Sequence, residues 1–245
     1  MVTVLKKRGI SINGILHTGT DLDLLLISRE DPMPEAKLLT TDIIGANGLT
    51  DYTEHGGLLV TYQNRNPAFH FFATGSRQKI EAAFQRLAAF HGQTVSVTFD
   101  DDPKFYYHGR AEVIRGEAGA TYAYFDLYIS AYPYKLKHEQ TLIEYETQGT
   151  ETIIIHNNIM PVKLTAEVLS VTDPNPSASA TYAVQFAYNS KTAFVNVGQK
   201  KALTGIIFKG GDQQITVKAG RMSNGGLNDY NYAARFLLSY QEGKF

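Results

Sequence analysis

FDDDPKFYYHGRAEVIRGEAGATYAYFDLYISAYPY, residues 99–134, is the stretch on which the fold turns. It reads as three successive strands. Asp100-Asp101-Asp102-Pro103 and Gly116-Glu117-Ala118-Gly119 supply the turns, and Ala131-Tyr132-Pro133-Tyr134 ends the run abruptly. Between the turns stand Phe105, Tyr106 and Tyr107, then Val113 and Ile114, then Tyr122, Tyr124, Phe125, Leu127, Tyr128 and Ile129. Aromatic and β-branched side chains suit a pleated, half-buried surface, and turn clusters bounding such runs mark antiparallel hairpins. Everything before the meander reads as one domain that it completes, residues 1–134. Everything after it, residues 135–245, reads as a second all-β unit.

Working upstream, Gln93–Phe99 places Val95, Val97 and Phe99 on one face of a strand. Before it lies the one clear helix, Arg77–His91. Ser76 is a suitable N-cap and Gly92 a suitable residue just past the end. Ile80, Ala83, Phe84, Leu87 and Ala88 form one apolar stripe, with Arg77, Lys79, Glu81, Gln85 and Arg86 largely off it, so the helix is expected to lie on a sheet face. Gly57–Gln63 and Ala68–Thr74 read as a hairpin turning at Asn64-Arg65-Asn66-Pro67. Within it, His70 is expected to be packed or hydrogen-bonded, because no second ligand stands at metal-site spacing.

Nearer the start, residues 8–14 read as a short strand ending at Asn13-Gly14, a dipeptide that suits a tight turn. Leu22–Arg29 is apolar nearly throughout, as expected for a strand buried on both faces or for part of an interface. Asp31-Pro32-Met33-Pro34 breaks it, and Glu35–Ile44 follows as a further strand ending in Gly45-Ala46-Asn47-Gly48. The two segments are expected to pair as a long hairpin that projects from the body. A lone hairpin is marginal in water, so such an arm wants a partner to lie against.

After Pro133 the character shifts. Lys135–Thr150 is polar and weakly periodic, a linker or an edge segment. Short runs follow at Thr152–His156, Val162–Val171, Thr181–Tyr188, Ala193–Val197, Leu203–Phe208, Gln213–Lys218 and Ala233–Tyr240. Strands at this spacing with no helix between them point to a β-sandwich.

Composition narrows the function. A net charge of −1 with no long basic block excludes a nucleic-acid binder that works by neutralising phosphates. The chain has no cysteine, so thiolate metal sites and thiol nucleophiles are excluded. No apolar run is long enough for a membrane helix and no signal-peptide core follows Lys6-Lys7-Arg8, so a soluble protein made in the cytoplasm is expected. The nucleophile-elbow, P-loop, dinucleotide and zinc-helix motifs are all missing. Asp100-Asp101-Asp102 resembles a calcium loop only in charge and reads as a turn. His138-Glu139 lacks a second histidine, and Glu144, Glu146 and Glu151 look like ordinary surface carboxylates. No enzyme, metal or cofactor is expected. Sugar binding is a second possibility, but the tyrosines after residue 150 (Tyr182, Tyr188, Tyr230, Tyr232, Tyr240) show no grouping as a platform, and there is no tryptophan. An assembly role suits the same residues better.

Several segments together resemble the distal tail protein (Dit) family of long-tailed siphophages: Gly9-Ile10-Ser11-Ile12-Asn13-Gly14, Ile43-Ile44-Gly45-Ala46-Asn47-Gly48 and the lone helix before Val95–Phe99. The closest likeness lies in Phe105-Tyr106-Tyr107-His108-Gly109, Phe125-Asp126-Leu127-Tyr128-Ile129 and Tyr132-Pro133-Tyr134, so it covers residues 8–134. The resemblance implies a mainly β fold, all-β with one helix. Its N-terminal β-sandwich or split-barrel domain forms a ring, and a galectin-like β-sandwich points outward from it. It implies a structural virion protein of the tail tip, or baseplate, assembled as a homo-hexamer. Such a ring joins the tail tube (major tail) protein to the tail-associated lysin or tip protein, in some phages carries the receptor-binding apparatus, and lets DNA pass without specific binding. No membrane insertion is implied. About 110 residues after Pro133 leave room for one sandwich and no inserted carbohydrate module, which favours a scaffold.

A closed ring needs one protomer's element on a different surface of its neighbour. The proline-broken pair is the candidate element, with Leu38, Thr40, Asp42 and Ile44 sharing one face of its second strand as interface residues. The alternative is an ordinary internal hairpin. The rival functions are a free-standing carbohydrate-binding sandwich that recognises host-surface sugars, and a glycosidase built from scattered carboxylates.

Overall fold

The meander is present as a continuous antiparallel ladder of β7 (Thr94–Phe99), β8 (Asp102–Ala118) and β9 (Tyr122–Ala131). This is a computed structural model, and it describes residues 8–42, 44, 48–53, 60–177, 179–223, 225–229 and 232–245. The chain divides into two compact units, Met1–His138 with Phe245, and Glu139–Lys244.

In the first unit the meander sits at the centre of a sheet. The earlier strands are β1 (Ile10–Ile12), β2 (Leu16–His17), β3 (Leu25–Glu30) and β6 (Ala68–Thr74), and the order is β2-β1-β7-β8-β9-β6-β3. β10 (Lys135–Lys137) pairs with β8 beyond the point where β9 ends, Leu136 opposite Tyr106. Asn13 and Gly14 both take positive φ, 52° and 67°, the mirror-image turn that matches strand twist.

The helix α1 (Arg77–Ala88) opens on Ser76, whose hydroxyl accepts from the Lys79 amide at 3.3 Å. It ends three residues earlier than the sequence pattern predicts. Ala89 is the cap, and the chain passes through two further turns before Gly92 reverses it with φ 74°. Ile80, Ala83 and Leu87 are buried, joining Phe69, Phe71, Val95, Val97, Phe125 and Leu127 in one core. Full burial of aliphatic side chains of this size stabilises by about 1.5–3 kcal/mol each. Arg115 anchors the helix, pairing with Glu81 at 2.8 Å while its guanidinium lies over Phe84.

Three expectations about the upstream region are corrected. Of the two alternatives for Leu22–Arg29, burial on both faces is the one corrected: Leu22 and Leu24 are buried, but β3 is the outermost described strand and mostly exposed, with Leu25 at 48% and Ile27 at 51%. Apolar composition does not distinguish a central strand from an edge that awaits cover. Second, β3 does not pair with Glu35–Ile44; it pairs with β6, Leu25 opposite Phe72 and Glu30 opposite Ala68. Third, Tyr62 and Gln63 do not form a hairpin with β6. Tyr62 bridges Ala36, and the Gln63 amide donates to Glu35 O at 2.8 Å, because the chain enters the sheet through Arg65, bridged to Ala131. The turn Gly45-Ala46-Asn47 and the strand start Gly57–Leu59 lie outside the described residues.

The second unit is a β-sandwich. One sheet runs β11 (Thr141–Gln148), β19 (Ala233–Tyr240), β13 (Val162–Thr172), β16 (Lys200–Phe208). The other runs β12 (Thr150–Ile155), β17 (Gln213–Ser223), β14 (Tyr182–Tyr188), β15 (Lys191–Asn196), with β18 (Gly226–Asp229) on β17. Phe186 of one sheet meets Phe236 of the other edge to face, centroids 5.3 Å apart. Lys135–Thr150, read as linker or edge, contains the edge strand β11.

Candidate assembly interface

Between Asp31 and Arg65 the chain leaves the first unit's sheet and returns to it, and the described residues of this segment form an arm. At its root Glu35–Lys37 runs beside Thr61–Gln63, the Lys37 amide donating to Thr61 O at 2.7 Å. Further out β4 (Thr40–Asp42) and β5 (Leu49–Asp51) form a two-stranded ribbon with Thr40 opposite Asp51 and Asp42 opposite Leu49. Leu39 and Tyr52 close it, the Tyr52 amide donating to Leu39 O at 2.7 Å. Thr53 donates its hydroxyl and its amide to Asp51, and these bonds, the hydroxyl's foremost, hold the carboxyl below its usual range.

The arm is pinned where it begins and ends. Arg65 is buried and pairs with Asp31, which also accepts from Lys135 Nζ at 2.9 Å. The Arg65 guanidinium and the Lys135 ammonium both lie over the Tyr107 ring, at 5.2 and 5.4 Å. Burial lowers the Arg65 pKa, and it raises that of Tyr107 to about 12. Tyr62 packs at the root against Tyr134 and Phe245, centroids 5.9 and 5.0 Å away.

The four residues picked from the sequence all fall on this arm and all are exposed: Leu38 (65%), Thr40, Asp42 and Ile44 (103%). Thr40 and Asp42 share their side of the ribbon with Asp51 and Leu49 (66% exposed), through the β4–β5 register. The sequence pattern places the partner of Glu35–Ile44 before Pro32, whereas β4 pairs with the strand after Gly48. The visible signal is Leu49-Thr50-Asp51, a short alternation behind a turn-forming Asn47-Gly48. Leu38, Leu39, Ile44 and Leu49 give the ribbon apolar side chains and no core.

The other candidates serve the fold. Asp100 accepts from the Gly9 amide at 2.9 Å and meets His17 Nε2 at 2.9 Å, while Asp101 pairs with Arg29. His70 Nδ1 meets Asp126 at 2.7 Å, as the sequence predicts. His138 Nε2 meets the Thr98 hydroxyl. Glu144 pairs with Arg235, Glu151 accepts the Gln148 amide, and Glu146 is exposed on β11. Tyr182, Tyr188 and Tyr240 donate to Asp173, Gln213 and His156 O, and Tyr232 is buried; Tyr230 lies outside the described residues. A cleft of about 510 Å³ beside β8 and β9 is lined by Asn66, His91, Arg110 and Tyr128, among others. Two of its polar side chains are engaged: Arg110 donates to Gly92 O, and His91 Nδ1 accepts the Val113 amide.

No family model and no curated protein matches the chain. Among solved structures it is similar to the SPP1 Dit (gp 19.1) protein, whose crystal structure is presented as a paradigm of the hub adsorption apparatus in phages infecting Gram-positive bacteria. The TM-score is 0.56 at 15% identity, and the match covers 97% of this chain and 99% of that one. The likeness is one of fold.

Proposed function

We propose that this chain is a structural hub of a phage tail tip, a virion protein that assembles as a hexameric ring. In this reading an N-terminal domain, residues 1–134, forms the ring, and a C-terminal domain, residues 135–245, is galectin-like and points outward. The ring joins the tail tube to the tail-associated lysin or tip protein, and to a receptor-binding protein where one is present, and DNA passes through its lumen. The chain is not an enzyme. The observation that carries the reading is the end-to-end fold likeness to SPP1 Dit. The exposed apolar arm supports it, because a ring needs an element that reaches a neighbour's different surface.

Light scattering on a size-exclusion column, with negative-stain images of the peak, tests it. Six copies of a 27.2 kDa chain run at roughly 160 kDa and show a central hole. A chain that stays monomeric both alone and with a tube and tip protein would sink the ring.

A further inference from the structure

We infer that the arm of one copy docks on the outer face of the neighbouring copy's sheet, over a platform made by Leu25, Phe72, Tyr122 and Tyr124. The inference rests on the ring reading above and names the surface that receives the arm.

The platform follows from register. Leu25 stands opposite Phe72, and Phe72 opposite Tyr124, so three strands contribute to one row. The rings of Phe72 and Tyr124 lie 5.1 Å apart, and Tyr122 sits 6.2 and 6.1 Å from them. The helix covers the other face of these strands, where Phe71 and Phe125 are fully buried. On the platform side Leu25 is 48% and Tyr124 39% exposed, and Gly116 lies against Tyr124 without a side chain to cover it. The row ends at β3, which pairs with no further strand among the described residues and leaves Leu25 and Ile27 exposed. An apolar edge of this kind invites another chain unless something occupies it.

Position argues that the occupant is a second copy. The arm leaves the sheet after Glu30 and returns before Ala68, and those two residues are paired at one end of the β3–β6 ladder. The platform is at the other end, five residues back along β3, about 17 Å at the usual rise per residue. An arm rooted at one end and a receiving surface at the other give each copy two unlike contacts. Such a contact passes from copy to copy and gives a ring where its rotation closes. Chemistry agrees. Leu38, Ile44 and Leu49 need an apolar surface, whereas the outward side of α1 carries Arg77, Lys79, Gln85 and Arg86.

The chain contains no cysteine, so introduced pairs report cleanly. Leu49→Cys combined with Tyr124→Cys, treated with a short bis-maleimide, is expected to give a ladder of linked chains up to six on denaturing gels. Leu49→Cys with Ala82→Cys, on the exposed side of the helix, is expected to give none. In parallel, Leu25→Asp is expected to raise the concentration at which the ring dissociates at least tenfold, with the monomer's melting temperature unchanged. A ring of roughly 160 kDa that yields no arm-to-platform ladder, or only links within one chain, overturns this docking and leaves the ring reading standing. No ring under any condition overturns both.

Discussion

Asp31 and Arg65 stand 34 residues apart in sequence, at the two ends of the arm, and meet as an ion pair. The Arg65 side chain is 1% exposed and that of Asp31 27%, and Lys135 completes the cluster from β10. One carboxylate thus faces two cations beneath the point where the arm departs. Asp31→Asn leaves Arg65 and Lys135 facing each other over Tyr107. It is expected to destabilise the first unit by about 2–3 kcal/mol, below the usual cost of breaking a fully buried pair because Asp31 is partly solvated. Asp101→Asn, at the exposed pair with Arg29, is expected to cost under about 0.5 kcal/mol. Urea unfolding of the two variants checks the contrast, and equal losses would refute it.

Leu38→Asp and Ile44→Asp alter side chains that make no core. Each is expected to leave the monomer's unfolding free energy within about 0.5 kcal/mol of the parent. Each should also abolish the proposed ring, as light scattering would show. A variant that unfolds and fails to assemble together would mean that the arm is an ordinary internal hairpin.

Gly109 lies where β8 passes close to β9. A Cβ there would stand 2.2 Å from Ser130 O and 2.5 Å from Ala131 Cα, both backbone atoms that cannot turn aside. Gly109→Ala is therefore expected to cost about 3 kcal/mol or more, at the top of the range for overpacking. Gly14→Ala, in open space but at φ 67°, is expected to cost about 1 kcal/mol, from backbone conformation alone. Thermal melts of the two variants should rank in that order.

Burial raises Tyr107, Tyr134 and Tyr240 to about 12. Their folded values lie above the unfolded value of 10, so the native state holds protons that the unfolded chain releases. Stability attributable to them is complete below pH 10 and is lost as pH rises toward 12. Tyrosinate absorbance should show these three ionising late, together with unfolding. Tyr107→Phe removes a buried hydroxyl that has no hydrogen-bond partner among the described residues, so it is expected to be neutral within about 1 kcal/mol near pH 7. It should also move the alkaline unfolding midpoint upward. An unmoved midpoint would mean that Tyr107 does not govern the transition.

Local patterning made the centre of the molecule readable. Val95, Val97 and Phe99 alternate, Ser76 caps a helix with one apolar stripe, and the sandwich strands lie close to where their runs predict. Pairing between distant segments was not readable. Nothing in the period of Glu35–Asp42 tells that it lies beside residues 49–52 and 61–63 and not 22–29, since alternation fixes faces and leaves partners open. The Pro32–Pro34 pair imitates a hairpin turn, yet it marks where the chain leaves the sheet. β11 was half-visible: Ile143, Tyr145 and Thr147 alternate with Glu144 and Glu146, although high polarity made the stretch look like a linker. β18 is short and glycine-led, and no run announces it.

The alternation of β6 has a consequence for how this protein can change over generations. Phe69, Phe71 and Ala73 answer only to their own chain's helix and sheet, so substitutions there need satisfy nothing but volume. Phe72 and its neighbours in the row answer, on the docking inferred above, to another copy's arm. Because both surfaces are written in one gene, a change at Phe72, Tyr124 or Leu25 would then alter every such contact at once and could be restored by a change near Leu38 or Leu49. Related sequences should therefore show paired drift between those two stretches and independent drift on the helix side, a record of contact left in inheritance.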